Sequence, residues 1–191
     1  GSESLSRIVD WTDRGTCILF GDGAGAVLLQ AKEGKSYQPV SHSDGRGGPA
    51  LTGPGVHGRV RSIDRDQGET KTEYITMNGK DVFQFAVRKV PQVIQEVLEL
   101  NELSLEDVDW FVLHQANARI VDAVARRLHL DIGKFPMNLQ EYGNTSSASI
   151  PILLNELNQK GILKKGQRLV LAGFGAGLSW GASVLDWDLE R

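Results

Sequence analysis

Short strand-like apolar runs alternate with helical apolar repeats along this chain of 191 residues. Apolar side chains recur at helical spacing from Val82 to Leu98, which predicts a long helix that begins after Asn78 and Gly79. The same patterns predict further helices over 116–128 and 147–159, and strands over 16–20, 26–30, 110–113, 168–172 and 180–189. Residues 33–72 are polar and rich in turn signals, and predict one or two strands with a long surface excursion. This order of elements indicates one α/β layered domain around a mixed five-stranded sheet.

The composition excludes several classes of partner. The chain has 21 basic and 24 acidic residues, a net charge of −3, and therefore no overall basic bias toward nucleic acid. Its single cysteine, Cys17, excludes an internal disulfide and suits a reducing compartment. No apolar run approaches the roughly 20 residues that span a bilayer. We therefore expect neither a nucleic-acid partner nor a membrane partner.

Glycine is unusually frequent, with 22 residues, and it concentrates in two clusters, 21–25 and 173–177. A dinucleotide-binding fingerprint needs a helix directly after such glycines, whereas strand-like sequence follows both clusters. Each cluster is therefore predicted to form a tight turn between two strands. The second cluster could aim backbone N–H groups at a developing oxyanion. The alternative is a hairpin in which two backbones pack closely.

Two polar clusters precede predicted helices. Residues 114–117, His-Gln-Ala-Asn, follow the strand over 110–113, at a sheet edge of the kind where ligands tend to bind. Residues 142–147 hold Asn, Thr and two Ser residues. The alternative interpretations are a hydrogen-bonded structural histidine and ordinary helix N-caps. The other histidines lack the clustered spacing of a metal site and are predicted to be surface or structural residues: His42, His57 and His129.

Six segments carry a resemblance to a known family. They are Asp13-Arg14-Gly15-Thr16, Phe20-Gly21-Asp22-Gly23-Ala24-Gly25-Ala26, Met77-Asn78-Gly79-Lys80-Asp81-Val82-Phe83, His114-Gln115-Ala116-Asn117, Gly143-Asn144-Thr145-Ser146-Ser147-Ala148-Ser149 and Phe174-Gly175-Ala176-Gly177-Leu178-Ser179-Trp180-Gly181. In this order the chain resembles the C-terminal half of β-ketoacyl-acyl-carrier-protein synthase III, a condensing enzyme with a thiolase-like α/β fold. The resemblance implies an acyltransferase that condenses an acyl-CoA primer with malonyl-acyl carrier protein, releases CO₂ and initiates fatty-acid synthesis.

The resemblance also implies roles for individual residues in a Cys–His–Asn triad. His114 and Asn144 match the histidine and the asparagine. Decarboxylation of a malonyl thioester builds an enolate, whose oxygen two neutral N–H donors would stabilise. Phe174, Gly175 and Ala176 match an active-site loop whose backbone N–H groups would serve the oxyanion of acyl transfer. A core aromatic role for Phe174 is the alternative.

Binding residues follow from the same resemblance. Arg14, Gly79 and Asn117 match residues that contact CoA, with the planar guanidinium of Arg14 stacked on adenine. Lys80 stands where some relatives have Asn. A patch for the acidic carrier protein is implied on one helix face, with a simple solvated face as the alternative, at Arg119, Arg126 and Arg127. No cofactor or metal is expected, because the CoA thioester is a substrate, and the complete protein is expected to be a homodimer.

The nucleophile of the triad has no match among these residues. Cys17 lies in the predicted strand over 16–20, where a buried cysteine behaves as a small hydrophobe. The chain also begins at Gly1 without an initiator Met. We therefore expect residues 1–191 to be a C-terminal domain whose N-terminal half, with the nucleophilic cysteine, is absent, and we expect this chain alone to be inactive in condensation.

Two alternatives from the sequence stay open. One is another thiolase-fold condensing enzyme, such as a plant-type polyketide synthase or a synthase that uses free malonyl-CoA. The other is a non-catalytic carrier-protein-binding or assembly module, which the unmatched nucleophile favours and the presence of His114 and Asn144 opposes. The expected compartment is the bacterial cytoplasm, or the plastid stroma in a eukaryote.

Overall fold

A computed structural model describes residues 1–30, 33–34, 36–54 and 74–189. The strands within these ranges are β1 Ser2–Ser4, β2 Asp22–Ala24, β3 Val40–Ser43, β4 Leu51–Thr52, β5 Thr76–Met77, β6 Trp110–Leu113, β7 Arg168–Gly175 and β8 Ser179–Asp186. The α-helices are α1 Arg14–Cys17, α2 Gly79–Leu100, α3 Ala118–Leu128, α4 Leu139–Tyr142 and α5 Ser149–Gln159.

The central sheet has four strands in the order β3-β8-β7-β6. Strands β6 and β7 run parallel, from the pair Trp110 and Leu169 to the pair Leu113 and Ala172. Strand β8 pairs antiparallel with both β7 and β3. The sheet is therefore mixed, as predicted, and β7 and β8 form the hairpin predicted at the second glycine cluster.

Helices cover both faces of this sheet. The side chains of β6 point alternately to the two faces of the sheet. Phe111 and Leu113 belong to the core under α2 and α3, whereas Val112 packs with the apolar side chains of α5. Helix α2 contributes ten buried residues, and α3 contributes five. Full burial of one such Val or Leu side chain stabilises the fold by about 1.5–3 kcal/mol. The three layers of the α/β prediction are thus present, with α2 and α3 on one face and α5 on the other.

The two long core helices begin at asparagine caps. The Asn78 side chain accepts a hydrogen bond from the backbone N–H of Asp81 at 3.2 Å, and the Asn117 side chain accepts from that of Arg119 at 2.9 Å. Helix α3 ends at Leu128, and the next residue, His129, has a left-handed φ of 57°, a conformation common just past a helix end. His129 is exposed at this position, which agrees with the prediction of a surface or structural residue.

The N-terminal part of the sequence prediction is wrong. Residues 16–20 do not form a strand, because the Asp13 side chain caps a short helix, α1, that includes Thr16 and Cys17. Residues 26–30 lie outside any strand, and Leu28 is 96% exposed. Among the described residues the central sheet has four strands, not five, since an apolar run becomes a strand only where another strand pairs with it.

The first glycine cluster is likewise not a turn between two strands. Residues Asp22–Ala24 form β2, which pairs antiparallel with β1 and lies against the start of α5. Position 21 requires glycine because its backbone passes close to residue 142. A Cβ there would lie 2.1 Å from the carbonyl oxygen of Tyr142. His57 lies outside the described residues, as do residues 35 and 55–72 of the predicted excursion over 33–72. Across the ranges given above, no helix is both long enough and apolar enough to cross a membrane.

Candidate active site

A cavity of about 440 Å³ opens where β6 ends. It is lined by residues from all three segments that the sequence singled out, 114–117, 142–147 and 173–177. Of the predicted site residues, those that line the cavity are Gly79, His114, Asn117, Arg119, Asn144, Phe174 and Gly175. The topology therefore unites residues that are far apart in the sequence.

His114 follows β6 directly and is held through both its backbone and its ring. Its backbone N–H donates to the carbonyl of Ala172 at 2.8 Å, which continues the parallel ladder. Ring atom Nδ1 lies 2.7 Å from the Ser149 hydroxyl oxygen, and Phe174 meets the ring edge-on at a centroid distance of 5.4 Å. Burial lowers the pKa of His114 to about 4, so the imidazole is neutral at pH 7. Its Nε2 atom has no hydrogen-bond partner among the described residues.

Asn144 is held by a loop that residues 19–21 support. Its backbone N–H donates to Leu19 O at 2.8 Å, and its carbonyl accepts from Gly21 N at 2.9 Å. The side-chain Oδ1 accepts the backbone N–H of Ser146 at 2.9 Å. This bond occupies the oxygen and leaves Nδ2 without a partner in the described part of the chain. Gly143 has a φ of +68°, which favours glycine just before Asn144.

The β7–β8 hairpin borders the same cavity. Phe174 and Gly175 line it from the end of β7, and Phe174 also packs edge-on against Phe85 of α2. Phe174 is thus both a cavity wall and a partner of the core, so the two interpretations of this residue are compatible. Ala176 is exposed in the turn and does not line the cavity.

The N-termini of α2 and α3 meet at the cavity. Gly79 and Lys80 line it from the first turn of α2, and Asn117 and Arg119 line it from the start of α3. The guanidinium of Arg119 lies 5.5 Å from the ring centre of Phe83, a cation–π contact. Two helix N-termini and two cations therefore give this wall a positive character.

The remaining predicted residues lie away from the cavity lining. Arg14 is exposed on α1, although its neighbour Gly15 lines the cavity. Arg126 and Arg127 are exposed in the last turn of α3, roughly 10 Å along the helix axis from Arg119. Cys17 is partly exposed at the end of α1 and does not line the cavity.

The structure offers no metal site in the residues it describes. No group of three or more His, Cys, Asp or Glu side chains that could hold an ion occurs there. His42 is a surface residue whose Nε2 lies 2.8 Å from a carboxylate oxygen of Glu96 and whose ring lies against Trp180. This position agrees with the surface role predicted for His42.

Sequence reasoning missed two contributors to the site. Ser149 touches the ring of His114, although a serine at a helix start suggests only a cap. Gln115 is buried, donates to Leu113 O at 2.8 Å and accepts from the backbone N–H of Asn138 at 3.1 Å, so it ties the end of β6 to a distant loop. A glutamine directly after a buried strand was the available signal, since a buried polar side chain needs hydrogen-bond partners.

Comparison with known proteins gives the family. The family model described as "3-Oxoacyl-[acyl-carrier-protein (ACP)] synthase III C terminal" matches residues 98–187, and the model described as "3-Oxoacyl-[acyl-carrier-protein (ACP)] synthase III" matches residues 1–45. The chain belongs to the β-ketoacyl-acyl-carrier-protein synthase III family. The recognition made from the six sequence segments is confirmed.

Individual relatives show how much of the family's length is present. The chain is 46% identical over 188 residues to a β-ketoacyl-[acyl-carrier-protein] synthase III of Clostridium acetobutylicum, and it covers 57% of that protein. It is 48% identical to a chloroplastic β-ketoacyl-[acyl-carrier-protein] synthase III B of Cuphea wrightii, of which it covers 49%. The chain thus spans about half the length of the curated relatives it matches.

A solved structure of the family shows the same fold. The crystal structure of a 3-oxoacyl-(acyl carrier protein) synthase III from Pseudomonas aeruginosa matches with a TM-score of 0.87 at 36% identity, over 100% of this chain and 57% of that one. The predicted α/β thiolase-like fold is therefore confirmed, apart from the number of strands in the central sheet.

Proposed function

We propose that residues 1–191 form the C-terminal catalytic part of a β-ketoacyl-acyl-carrier-protein synthase III, which condenses an acyl-CoA primer with malonyl-acyl carrier protein. One observation carries the proposal: His114 and Asn144 line one cavity, and the Nε2 and Nδ2 atoms of these side chains lack partners among the described residues. With the imidazole proton on Nε2, these two atoms present N–H donors in one partly enclosed space, which suits an oxygen that gains negative charge.

The chemistry follows from the charge of the intermediate. When CO₂ leaves a malonyl thioester, the electron pair of the broken C–C bond moves onto the thioester oxygen as an enolate. His114 donates from an imidazole that burial keeps neutral, since its pKa is about 4, and Asn144 donates from its amide. Loss of one such donor costs on the order of 10²–10³ in rate. The enolate carbon then attacks the carbonyl carbon of the primer's acyl thioester, and a backbone N–H near Gly175 stabilises the second oxyanion. Collapse of this oxyanion breaks the C–S bond and releases the thiolate that carried the acyl group.

The acyl group must first be carried by a thiolate. Cys17, the one cysteine of the chain, does not line the cavity. We propose that the nucleophile belongs to a part of the protein beyond these 191 residues and that this chain alone forms no acyl-enzyme. Incubation with an acyl-CoA followed by mass spectrometry tests this directly. A stoichiometric acyl adduct on Cys17 would overturn the assignment.

Substrate binding is proposed at the positive wall and on α3. Gly79 and Asn117 contact the pantetheine arm of CoA, and Arg14 stacks on its adenine from α1. Arg119 holds the acidic carrier protein at the cavity mouth, and Arg126 and Arg127 extend the attraction along the exposed face of α3. Such exposed charges raise the association rate mainly, and the effect weakens with salt. The complete protein is proposed to be a homodimer of the bacterial cytoplasm or plastid stroma.

The decisive experiment measures CO₂ release from malonyl-acyl carrier protein by the full-length protein and its variants. His114→Ala and Asn144→Ala are each expected to lower the rate by on the order of 10²–10³. Asn155→Ala, at an exposed position of α5 that does not line the cavity, is the matched control and retains the rate. Undiminished decarboxylation in both His114→Ala and Asn144→Ala would refute the donor assignment.

A second candidate function is a non-catalytic module that binds carrier protein. The position of Cys17 away from the cavity favours it. The two candidates differ in the same assay, because a binding module retains carrier-protein affinity and releases no CO₂ in the full-length protein. The same assay with malonyl-CoA in place of malonyl-acyl carrier protein identifies a condensing enzyme that uses the free CoA thioester.

A further inference from the structure

Ser149 is the first residue of α5, and its hydroxyl group contacts the ring of His114. The residue is 2% exposed, so its hydroxyl group is shielded from bulk solvent. Its oxygen lies 2.7 Å from His114 Nδ1 and accepts the backbone N–H of Gln115 at 3.3 Å. Within the part of the chain that the structure describes, these are the only hydrogen bonds of this hydroxyl group.

The position of one proton follows from counting donors and acceptors. A serine hydroxyl has one hydrogen to donate and two lone pairs to accept with. The Gln115 N–H occupies one lone pair. If the hydroxyl hydrogen points to Nδ1, every group is satisfied and the imidazole carries its own proton on Nε2. If Nδ1 were the donor, the hydroxyl hydrogen would be buried without an acceptor, which is costly.

We propose that Ser149 is a positioning residue that holds His114 in the tautomer protonated at Nε2. The N–H that the proposed decarboxylation needs is then present on the free side of the ring, next to Phe174 and in the same cavity as Asn144. Asn144 is oriented by the same loop, through the Ser146 N–H. A single segment, 144–149, therefore orients both proposed hydrogen-bond donors, the imidazole of His114 and the amide of Asn144. The link to catalysis rests on the proposed function, whereas the tautomer does not.

The first test uses the 191-residue chain labelled with ¹⁵N-histidine. A long-range ¹H–¹⁵N correlation spectrum at pH 7 separates protonated from unprotonated ring nitrogens, and His114→Gln identifies the His114 signals among those of four histidines. We expect Nδ1 to be unprotonated and Nε2 to be protonated. A spectrum with the His114 proton on Nδ1 would overturn the proposal.

The second test removes the hydroxyl group. In Ser149→Ala the two nitrogen signals of His114 move toward the values of mixed tautomers, and kcat for decarboxylation by the full-length protein falls roughly tenfold with KM unchanged. Ser149→Thr keeps a hydroxyl group and restores the signals. Ser147→Ala is the matched control, since the Ser147 hydroxyl donates to Glu3 rather than to His114. Unchanged tautomer signals in Ser149→Ala would refute the role.

Failure of this inference is distinguishable from failure of the proposed function. The spectrum reports the ring proton and needs no turnover, so a protein that releases no CO₂ still gives a decisive spectrum. Conversely, a Nδ1-protonated ring in a protein that decarboxylates malonyl-carrier protein would overturn the role of Ser149 and leave the reaction in place.

Discussion

Residues 79–186 and residues 1–30 both carry apolar runs, but the two regions bury them to very different extents. In the first region Leu169 and Val170 of β7 are fully buried between helices. In the second region Leu28 and Leu29 are 96% and 87% exposed. Both runs look like strands in the sequence. The difference shows that an apolar run gives only a tendency to form a strand, and that the strand forms only where another strand pairs with it.

The largest expected effect compares one substitution in both regions. Leu169→Ala removes a fully buried side chain from the sheet and should lower the free energy of unfolding by about 2–5 kcal/mol. Leu28→Ala removes a side chain that contacts little and should change it by less than about 0.5 kcal/mol. Urea unfolding of the two variants measures both values. Equal losses would mean that residues 26–30 are buried in solution.

The next effect is a pH dependence that belongs to the buried region. The pKa of His114 is about 4 in the folded protein and ordinarily about 6.5. Between these pH values the unfolded chain binds a proton that the folded chain does not. The free energy of unfolding therefore decreases as the pH falls from about 6.5 to about 4, by up to about 3 kcal/mol.

His114→Gln is the comparison for this pH effect, because it keeps a polar side chain and removes the titration. Urea unfolding at pH 7.5, 6, 5 and 4 is expected to give a flatter profile for the variant than for the unsubstituted chain. Parallel profiles would contradict the lowered pKa.

A third effect tests how residues 1–30 support the site. In Gly21→Ala the new methyl group would lie 2.1 Å from Tyr142 O, so the loop that carries Asn144 must shift. We expect a loss of about 1–3 kcal/mol in thermal or urea unfolding, together with reduced decarboxylation by the full-length protein. Gly45→Ala is the control, since a Cβ there has nothing within 4 Å. Equal stability of the two variants would show that the 19–21 contact is dispensable.

The smallest effect concerns a cap at the cavity. Asn117→Ala removes the acceptor for the Arg119 N–H at the start of α3 and should cost about 1 kcal/mol. Asn155→Ala, exposed within α5, should change stability by less than about 0.5 kcal/mol. Thermal unfolding of both proteins gives the comparison. An Asn117→Ala protein as stable as the parent would mean that another group caps α3.

Much of the fold from residue 79 onward could be predicted from the sequence. The long helix that becomes α2, the strands β6, β7 and β8, and the helices α3 and α5 all follow from local periodicity. The prediction failed over 16–30, where side-chain capping by Asp13 and the lack of a pairing strand in the described residues overrode apolar composition. Local patterns contain no information about which strands meet.

The candidate site divides in the same way. The motifs pointed to His114, Asn144 and Phe174, and the cavity contains all three. Ser149 could not be found, because its role depends on a contact with a residue 35 positions away. The support of Asn144 by Leu19 is still less visible in the sequence, since the two residues are 125 positions apart.

The sequence by itself determined the family, the α/β class and the chemical types at the site, because these depend on residue identity and local spacing. Only the tertiary structure decided that the described part of the central sheet has four strands, that Cys17 does not line the cavity, and that the Ser149 hydroxyl group contacts the ring of His114. Those facts depend on burial and on directed hydrogen bonds between distant segments, and both arise only when the layers pack.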